Sequence, residues 1–486
     1  MITLTLAEIA AATGGKVLAA ATAPPLQEEA RRSAGATSAD AVQVTGATVI
    51  DSRDVGAGDL FVAVPGERVD GHDYLHAAAD RGAVAALVSR HVPGSPVPMV
   101  LVADAQIALG VLAREVLARL RSAGELTVVA ITGSVGKTTT KDLLAQLLTP
   151  LGGLIAPAGS FNNELGLPLT VLRATPSTRV LVLEMGADAP GNLTYLTSIA
   201  PPDIAVVLAV GTAHLGGFGS VEGIARAKAE LVQGLRPDGV AVLNADDVRV
   251  AAMSALSAGA QVRTFGTGPD AEVRAEEVSV DATGRAAFTL SIDGVCAPVQ
   301  VALVGGHHVT NALAAAAVCL TLGLSVEEVA QRLAHAGALS PHRMHVRTWG
   351  ERTVIDDAYN ANPDSMRAAL DALTAIAAGR RTVAVLGEML ELGDIAEQAH
   401  EQIGAYAAEH ADMIVVVGAG ADGIARGARS AGAQVRTVAD VKEAEELVVT
   451  DLGPEDVVLI KSSNSAGLAV LADRLVADAG DAEELA

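Results

Sequence analysis

From Leu126 onward, short unbroken apolar runs alternate with longer segments of helical period. "LTVVAI", "RVLVLEM", "IAVVLAV" and "VAVLN" are apolar throughout, and between them lie segments such as "SVEGIARAKAELVQGL", in which apolar positions recur every third or fourth residue. A strand that is apolar on both faces needs cover on both faces, so the pattern predicts a parallel sheet flanked by helices. Residues 270 to 304 change character and read as short antiparallel strands, followed by a helix over "HVTNALAAAAVCLTLG". Past Ser340, "TVIDD", "RTVAVLG", "MIVVVGAG" and "DVVLIK" alternate with helices again, predicting a second parallel α/β domain. Ahead of this lies the helix "AQIALGVLAREVLARL", broken at "RSAGE", and before it the Pro/Gly loop "SRHVPGSPVP". Ala19 to Asp40, rich in Ala, Pro and charge without a period, reads as a surface insertion. The expectation is three α/β domains, with boundaries at 1–124, 125–339 and 340–486, and no internal repeat.

Length agrees: 486 residues exceed one core and suggest about three domains. Half the residues are hydrophobic but only 2% aromatic, so the core must be built from Val, Leu, Ile and Ala. The net charge of -23 argues against nucleic-acid or acidic-membrane partners, which call for a basic face. An anionic substrate would therefore be held by a few local cations. Cys296 and Cys319 sit in apolar runs and are expected to be free, buried thiols. The start "MITLTLAEIAAATGG" lacks a basic n-region, and no apolar run approaches the roughly 20 residues of a membrane span, so a cytoplasmic protein is expected.

The densest chemistry lies in "AITGSVGKTTTKDLL", Ala130 to Leu144. Gly136, Lys137 and Thr138 match the end of a G-x-x-x-x-G-K-[ST] phosphate loop, with Ile131 in place of the first glycine and Gly133 two residues later. Strand before and helix after are the right context. Backbone N–H groups of Gly133, Ser134, Val135, Gly136 and Thr139 would cradle phosphate, Lys137 would neutralise it, and Thr138 would ligate Mg²⁺. A second glycine pattern, Gly418, Gly420 and Gly423 with Asp440 downstream, fits a dinucleotide fingerprint. Glycine equally serves a tight strand-to-helix turn, and no companion residue argues for hydride transfer, so the structural reading is preferred.

The shortened loop resembles that of the ATP-dependent Mur ligases and their folylpolyglutamate synthase relatives. The resemblance implies an N-terminal UDP-binding domain, a central P-loop ATPase domain and a C-terminal Rossmann-like domain. Strand ends would let Glu184 and His214 meet Thr138 as metal ligands, with the single imidazole admitting Mn²⁺ as well as Mg²⁺; taken alone, Glu184 reads equally as a helix N-terminal acid and His214 as a loop histidine. Lys228, in "GIARAKAELVQGL", reads on its residues alone as a solvated helix lysine; the family's A-K-x-E segment implies a carbamylated one that bridges metal ions. "GGHHVTNALAAAA" resembles the segment that places His307 and Asn311 at adenine. "SPHRMHV" resembles the P-x-R lead into the third domain, which implies that Arg343 reaches the γ-phosphate. In "VIDDAYNANPDSM", Asp357 would approach the ribose, and Tyr359, Asn360 and Asn362 would face the substrates.

Ile50 to Val88 resembles the uridine-nucleotide domain of the tripeptide- and pentapeptide-forming branches, with Ser52 and Arg53 at the UDP end. No D-x-P-R motif for a diamino acid is present. "SFNNELGLPLTVL", with Asn162 and Asn163, and "LGEMLELGD" match the pentapeptide-forming branch. Lys461 remains in "IKSSNSAGL", where many members carry K-G-S-R. The resemblance implies a monomeric amide ligase using ATP, with UDP-muramoyl tripeptide and D-alanyl-D-alanine as substrates and Lys137, Lys228 and Arg343 as catalytic groups. The alternatives are a tripeptide-forming ligase, a P-loop NTPase switch and a dinucleotide-binding dehydrogenase.

Overall fold

The computed structural model describes residues 1–21, 38–66, 69–212, 215–257, 259–281 and 283–477. Most of the expected insertion at Ala19 to Asp40 lies outside them, as does His214. The chain forms two compact units, one of residues 1–129, 151–185 and 194–202, the other of residues 130–150, 186–193 and 203–486.

The first unit holds a five-stranded sheet in the order Lys16–Leu18, Met99–Leu101, Ala85–Val88, Leu60–Val62, Thr48–Val49, parallel except for its Lys16–Leu18 edge. The inner strands are fully buried, as unbroken apolar runs require. Helix Ala105–Ala123 starts where the Asp104 side chain accepts from the Ile107 N–H, and it buries Leu109, Leu112, Val116 and Leu120 along one stripe. Farther along the same unit, Val180–Glu184 pairs in parallel with Leu154–Ile155.

The second unit contains two sheets. In the first, Ile204–Val207, Val240–Asn244 and Gln261–Gly266 run parallel; Val273–Val280, Arg285–Ile292 and Val295–Val304 extend it, the last two antiparallel as the sequence predicts. Cys319 is buried in helix His308–Thr321, and burial pushes its thiol up to about 12. Cys296 departs from expectation and is exposed, because it falls on the outward-facing start of an alternating strand rather than in a two-sided apolar run.

The second sheet has the order His345–Trp349, Arg352–Asp356, Val457–Lys461, Thr382–Leu386, Met413–Val417, Val435–Val438, with only the first strand antiparallel. The glycines resembling a dinucleotide fingerprint have mechanical roles here. A Cβ on Gly423 would lie 2.6 Å from His400 Cβ, and one on Gly420 would overlap the Glu388 carboxylate. Gly404 and Gly427 let helices Ala396–Ala408 and Asp422–Ser430 touch backbone to backbone: a Cβ on Gly404 would strike the Ile424 carbonyl, and one on Gly427 the Glu401 carbonyl. Gly427→Ala should therefore destabilise the protein by about 1–3 kcal/mol despite its better helix propensity, because a methyl group is forced into a close-packed contact. Thermal unfolding of the purified variant checks this; an unchanged or raised midpoint would show that the two helices separate without cost.

Candidate functional site

Strand Thr127–Thr132 delivers the chain to the phosphate loop. The Thr132 carbonyl accepts from the Leu208 N–H at 3.0 Å, and the Ser134 N–H donates to the Ala209 carbonyl at 2.9 Å, so the loop is stitched to the end of strand Ile204–Val207. Gly136 takes a left-handed φ of 82° and opens helix Lys137–Leu148. Its missing side chain is needed twice over, because a Cβ there would also overlap Asn311 Oδ1. No side chain caps this helix, so its leading N–H groups and dipole face the loop interior. Lys137 Nζ folds back to the Gly133 carbonyl at 2.8 Å. Asn311, buried in helix His308–Thr321, accepts from the Thr140 hydroxyl at 3.4 Å and lies 3.1 Å from His308 Nδ1. The exposed His307 ring packs at a tilt against buried His308 with centroids 4.0 Å apart, and burial lowers the pKa of the His308 imidazole.

Arg343 reaches this loop from the segment that leads into the last sheet. Its Nη2 donates to Thr138 Oγ1 at 3.2 Å, and its guanidinium lies 4.1 Å from the centroid of the Tyr359 ring. The neighbouring loop is held by Lys461, whose buried ammonium contacts Asp357 Oδ2 at 2.5 Å and the Asn360 carbonyl at 2.9 Å. The residues expected at γ-phosphate, ribose and substrate thus share one cluster: Arg343, Asp357, Tyr359, Asn360 and Lys461. Asn362 has a different visible task. It is buried and caps helix Pro363–Ala377, its side chain accepting from the Ser365 N–H at 2.9 Å.

Lys228 is not the solvated lysine that its local sequence suggests. It shares a stripe with Ile224 and Val232 on helix Val221–Gln233, and that stripe is buried, leaving Lys228 2% exposed. The i, i+4, i+8 register that buries it is readable in the sequence, although a charged residue argues against using it. Burial, and then the Lys137 charge, push its pKa down to about 7.

Glu184 ends its strand in the first unit. It is buried, and its Oε1 accepts from Ser160 Oγ and Asn162 Nδ2, both at 2.9 Å. Asn163 Oδ1 receives the Gly166 N–H at 2.9 Å at the start of helix Gly166–Val171. Of the two asparagines expected at substrate, Asn162 thus holds the Glu184 carboxylate and Asn163 the start of the next helix. Arg53 is largely exposed and grips Asp51 Oδ2 at 2.5 Å, holding the Asp51 carboxyl down at about 2; Ser52, half-buried, lies between them.

Five contacts escaped the sequence reading. Lys141, one turn beyond Lys137 and buried, pairs with Asp142 at 2.9 Å, and Asp142 also receives the Ser340 N–H at 2.9 Å. Asp364, at the start of its helix, accepts from the Thr212 N–H at 3.2 Å, while the Gly211 N–H donates to Ser134 Oγ at 2.9 Å. His342 pairs with Asp356 at 2.8 Å. Apart from Gly211 and Thr212, these residues lie within quoted motifs, yet motif logic concerns ligands and does not reveal partners.

The chain's own residues fit a nucleotide triphosphate. The helix start carries no side-chain cap, Gly136 just before it tolerates no side chain, and Lys137 and Arg343 supply charge. The Thr138 hydroxyl, an oxygen donor at the start of the same helix, suits a hard cation such as Mg²⁺.

Comparison with known proteins follows the same lines. The Mur ligase middle domain matches residues 131–319, the Mur ligase glutamate ligase domain residues 342–464, and the Mur ligase family catalytic domain residues 47–119. The chain is 47% identical to UDP-N-acetylmuramoyl-tripeptide–D-alanyl-D-alanine ligase of Mycobacterium tuberculosis, with 98% of each chain covered. A crystal structure of MurF from Acinetobacter baumannii aligns with a TM-score of 0.82 at 31% identity, covering 98% of this chain and 99% of that one. MurF ligase from Thermotoga maritima in complex with ADP aligns at 0.77 and 30% identity, covering 90% and 98%.

Lys137→Ala tests the loop directly. Its ammonium contacts a loop carbonyl rather than filling a core, so the melting temperature should stay close to that of the parent. ATP-dependent turnover should fall about 10²-fold or more, the scale of one lost electrostatic contact to a transition state. Near-normal turnover would remove Lys137 from the chemistry.

Proposed function

The chain belongs to the Mur ligase family, and on that premise we propose that it joins D-alanyl-D-alanine to UDP-N-acetylmuramoyl tripeptide at the expense of ATP. The observation that carries the reaction class is the reach of Arg343 onto Thr138, which brings a second cation to the phosphate loop. The likeness to relatives named for this reaction along nearly the whole chain supports the choice of acceptor.

A carboxylate is a poor electrophile toward an amine. Transfer of the γ-phosphoryl group to the tripeptide carboxylate gives an acyl phosphate and ADP. The dipeptide amine then attacks the acyl carbon, the amide forms, and phosphate leaves with the bonding electrons. Lys137 and Arg343 offset charge on the transferring group, the main demand in phosphoryl transfer. Asn311 and His307 would hold the adenine side, and Asp357 the ribose. Mg²⁺ or Mn²⁺, held by Thr138, Glu184 and His214, would add further charge neutralisation. Ser52 and Arg53 would meet the UDP end, and Tyr359, Asn360 and Lys461 the peptide substrates. The reading includes a monomeric, cytoplasmic enzyme.

Lys228 enters as a carbamate. Its amine would take up CO₂ and release a proton, turning a buried cation into an anion able to bind metal. Only the free amine reacts. With the pKa pushed down to about 7, the ammonium dominates below that pH and the amine above it. CO₂-depleted enzyme should therefore lose activity and regain it with bicarbonate more fully at pH 8 than at pH 6. Lys228→Ala should be severely impaired and partly rescued by short carboxylates. Lys228→Arg should stay inactive, because guanidinium keeps its charge. An Arg variant as active as the parent would exclude the carbamate.

Phosphate release with ATP and UDP-muramoyl tripeptide, with and without D-alanyl-D-alanine, tests the whole reading. Release should require the dipeptide and yield a pentapeptide product. Related D-dipeptides should react more slowly, since each methylene is worth only about 1–3 kcal/mol of discrimination. Efficient addition of a diamino acid to UDP-muramoyl dipeptide, with no reaction on the D-dipeptide, would favour the tripeptide-forming alternative. Turnover without any amine acceptor would favour the NTPase switch.

A further inference from the structure

Arg343 sits between two residues in an unusual backbone state. His342 has φ 57° and Met344 φ 54°, the left-handed region that residues with side chains seldom enter unless their surroundings require it. Here two adjacent acids supply the requirement. His342 Nδ1 lies 2.8 Å from Asp356 Oδ2, and the Met344 N–H donates to Asp357 Oδ1 at 3.1 Å. The His342 carbonyl also accepts from the Tyr359 N–H at 3.2 Å, fixing the residue whose ring stacks on the Arg343 guanidinium. Asp356 is fully buried. Arg347 stands 3.9 Å from Asp356 and 3.7 Å from Asp473, whose carboxylate is 3.8 Å from His342 Nε2. A guanidinium beside both carboxylates makes this an ion-pair network rather than a metal site.

We propose that the His342–Asp356 pair is the positioning device that holds Arg343 on the phosphate loop. The pair locks the left-handed turn, the turn sets the direction of the arginine, and the Tyr359 ring and Thr138 hydroxyl receive it. The His342 ring is engaged by Asp356 and Asp473 and acts through Arg343. The proposal rests on the reading of Arg343 as the phosphate-directed cation.

The test uses the full chain with His342→Ala, His342→Gly, His342→Asn, Arg343→Ala and the double variant His342→Ala/Arg343→Ala. Glycine and asparagine both tolerate the left-handed region, so these variants keep the test open if the alanine variant fails to fold. Asparagine retains a side-chain donor for Asp356 and glycine does not. Three readouts are taken: ATP-analogue affinity by calorimetry without acceptor, the kcat against KM split for phosphate release, and melting temperature. His342→Ala and His342→Gly should each weaken nucleotide binding and lower kcat about tenfold, with KM for the peptide substrates nearly unchanged. His342→Asn should recover most of the loss. In the Arg343→Ala background, removing His342 should cost less than about twofold more, because coupled residues are not additive. Additive losses, a His342→Gly enzyme equal to the parent, or an asparagine variant no better than glycine would each overturn the proposal. The calorimetric arm needs no dipeptide, so failure of the positioning role is separable from failure of the assigned reaction.

Discussion

Positive charge crowded at one loop is the constraint on which the rest of the second unit depends. Lys137 lies close enough to Lys228 to help lower its pKa, Lys141 is one turn farther along, and Arg343 arrives on Thr138. The uncapped helix start adds its own positive end. In a chain of net charge -23, these cations are kept together against mutual repulsion by packing and by separate local solutions. Asp142 neutralises Lys141, burial favours the uncharged form of Lys228, and Arg343 is spread over an aromatic face. The potential that remains points toward the loop, where an anionic substrate would relieve it.

The same solutions tie the last sheet to the phosphate loop. Asp142 not only pairs with Lys141 but also receives the Ser340 N–H, anchoring the chain three residues before Arg343. Asn362 fixes the start of helix Pro363–Ala377, and that start aims Asp364 at Gly211 and Thr212. Gly211 in turn holds Ser134 of the loop. The backbones of Gly216 and Gly393 meet so closely that a Cβ on Gly216 would lie 3.1 Å from Gly393 Cα. Residues distant in sequence therefore register on one another through backbone groups, which have few alternative geometries.

Much of this was legible before any coordinates. Unbroken apolar runs gave parallel strands, because two-sided burial leaves no other composition. The loop Gly133–Thr138 was singled out by motif chemistry, and Arg343 by the family resemblance. What stayed hidden has physical causes. Asn162, Asn163 and Asn362 look like ligand contacts, yet an amide serves equally well to orient a carboxylate or cap a helix, and local sequence does not separate these uses. Lys228 was hidden because charge masks its place on an apolar stripe. The His342–Asp356 pair joins the lead into one strand to the last residue of its neighbour, and the antiparallel pairing of His345–Trp349 with Arg352–Asp356 brings them together. The expected metal ligand His214 lies outside the described residues.

Glu388 carries a consequence of a different kind. Its carboxylate rests against Gly420, in the turn that spells a dinucleotide fingerprint. A pyrophosphate approaching that turn would meet a negative charge at contact distance, and the guanidinium beside it, that of Arg426, is already paired with Glu397 and Glu401. Of two glycine-rich strand-to-helix turns in one polypeptide, one is thus electrostatically open and the other self-blocked. Selectivity between the two turns would then be set by exclusion at the second as well as by attraction at the first.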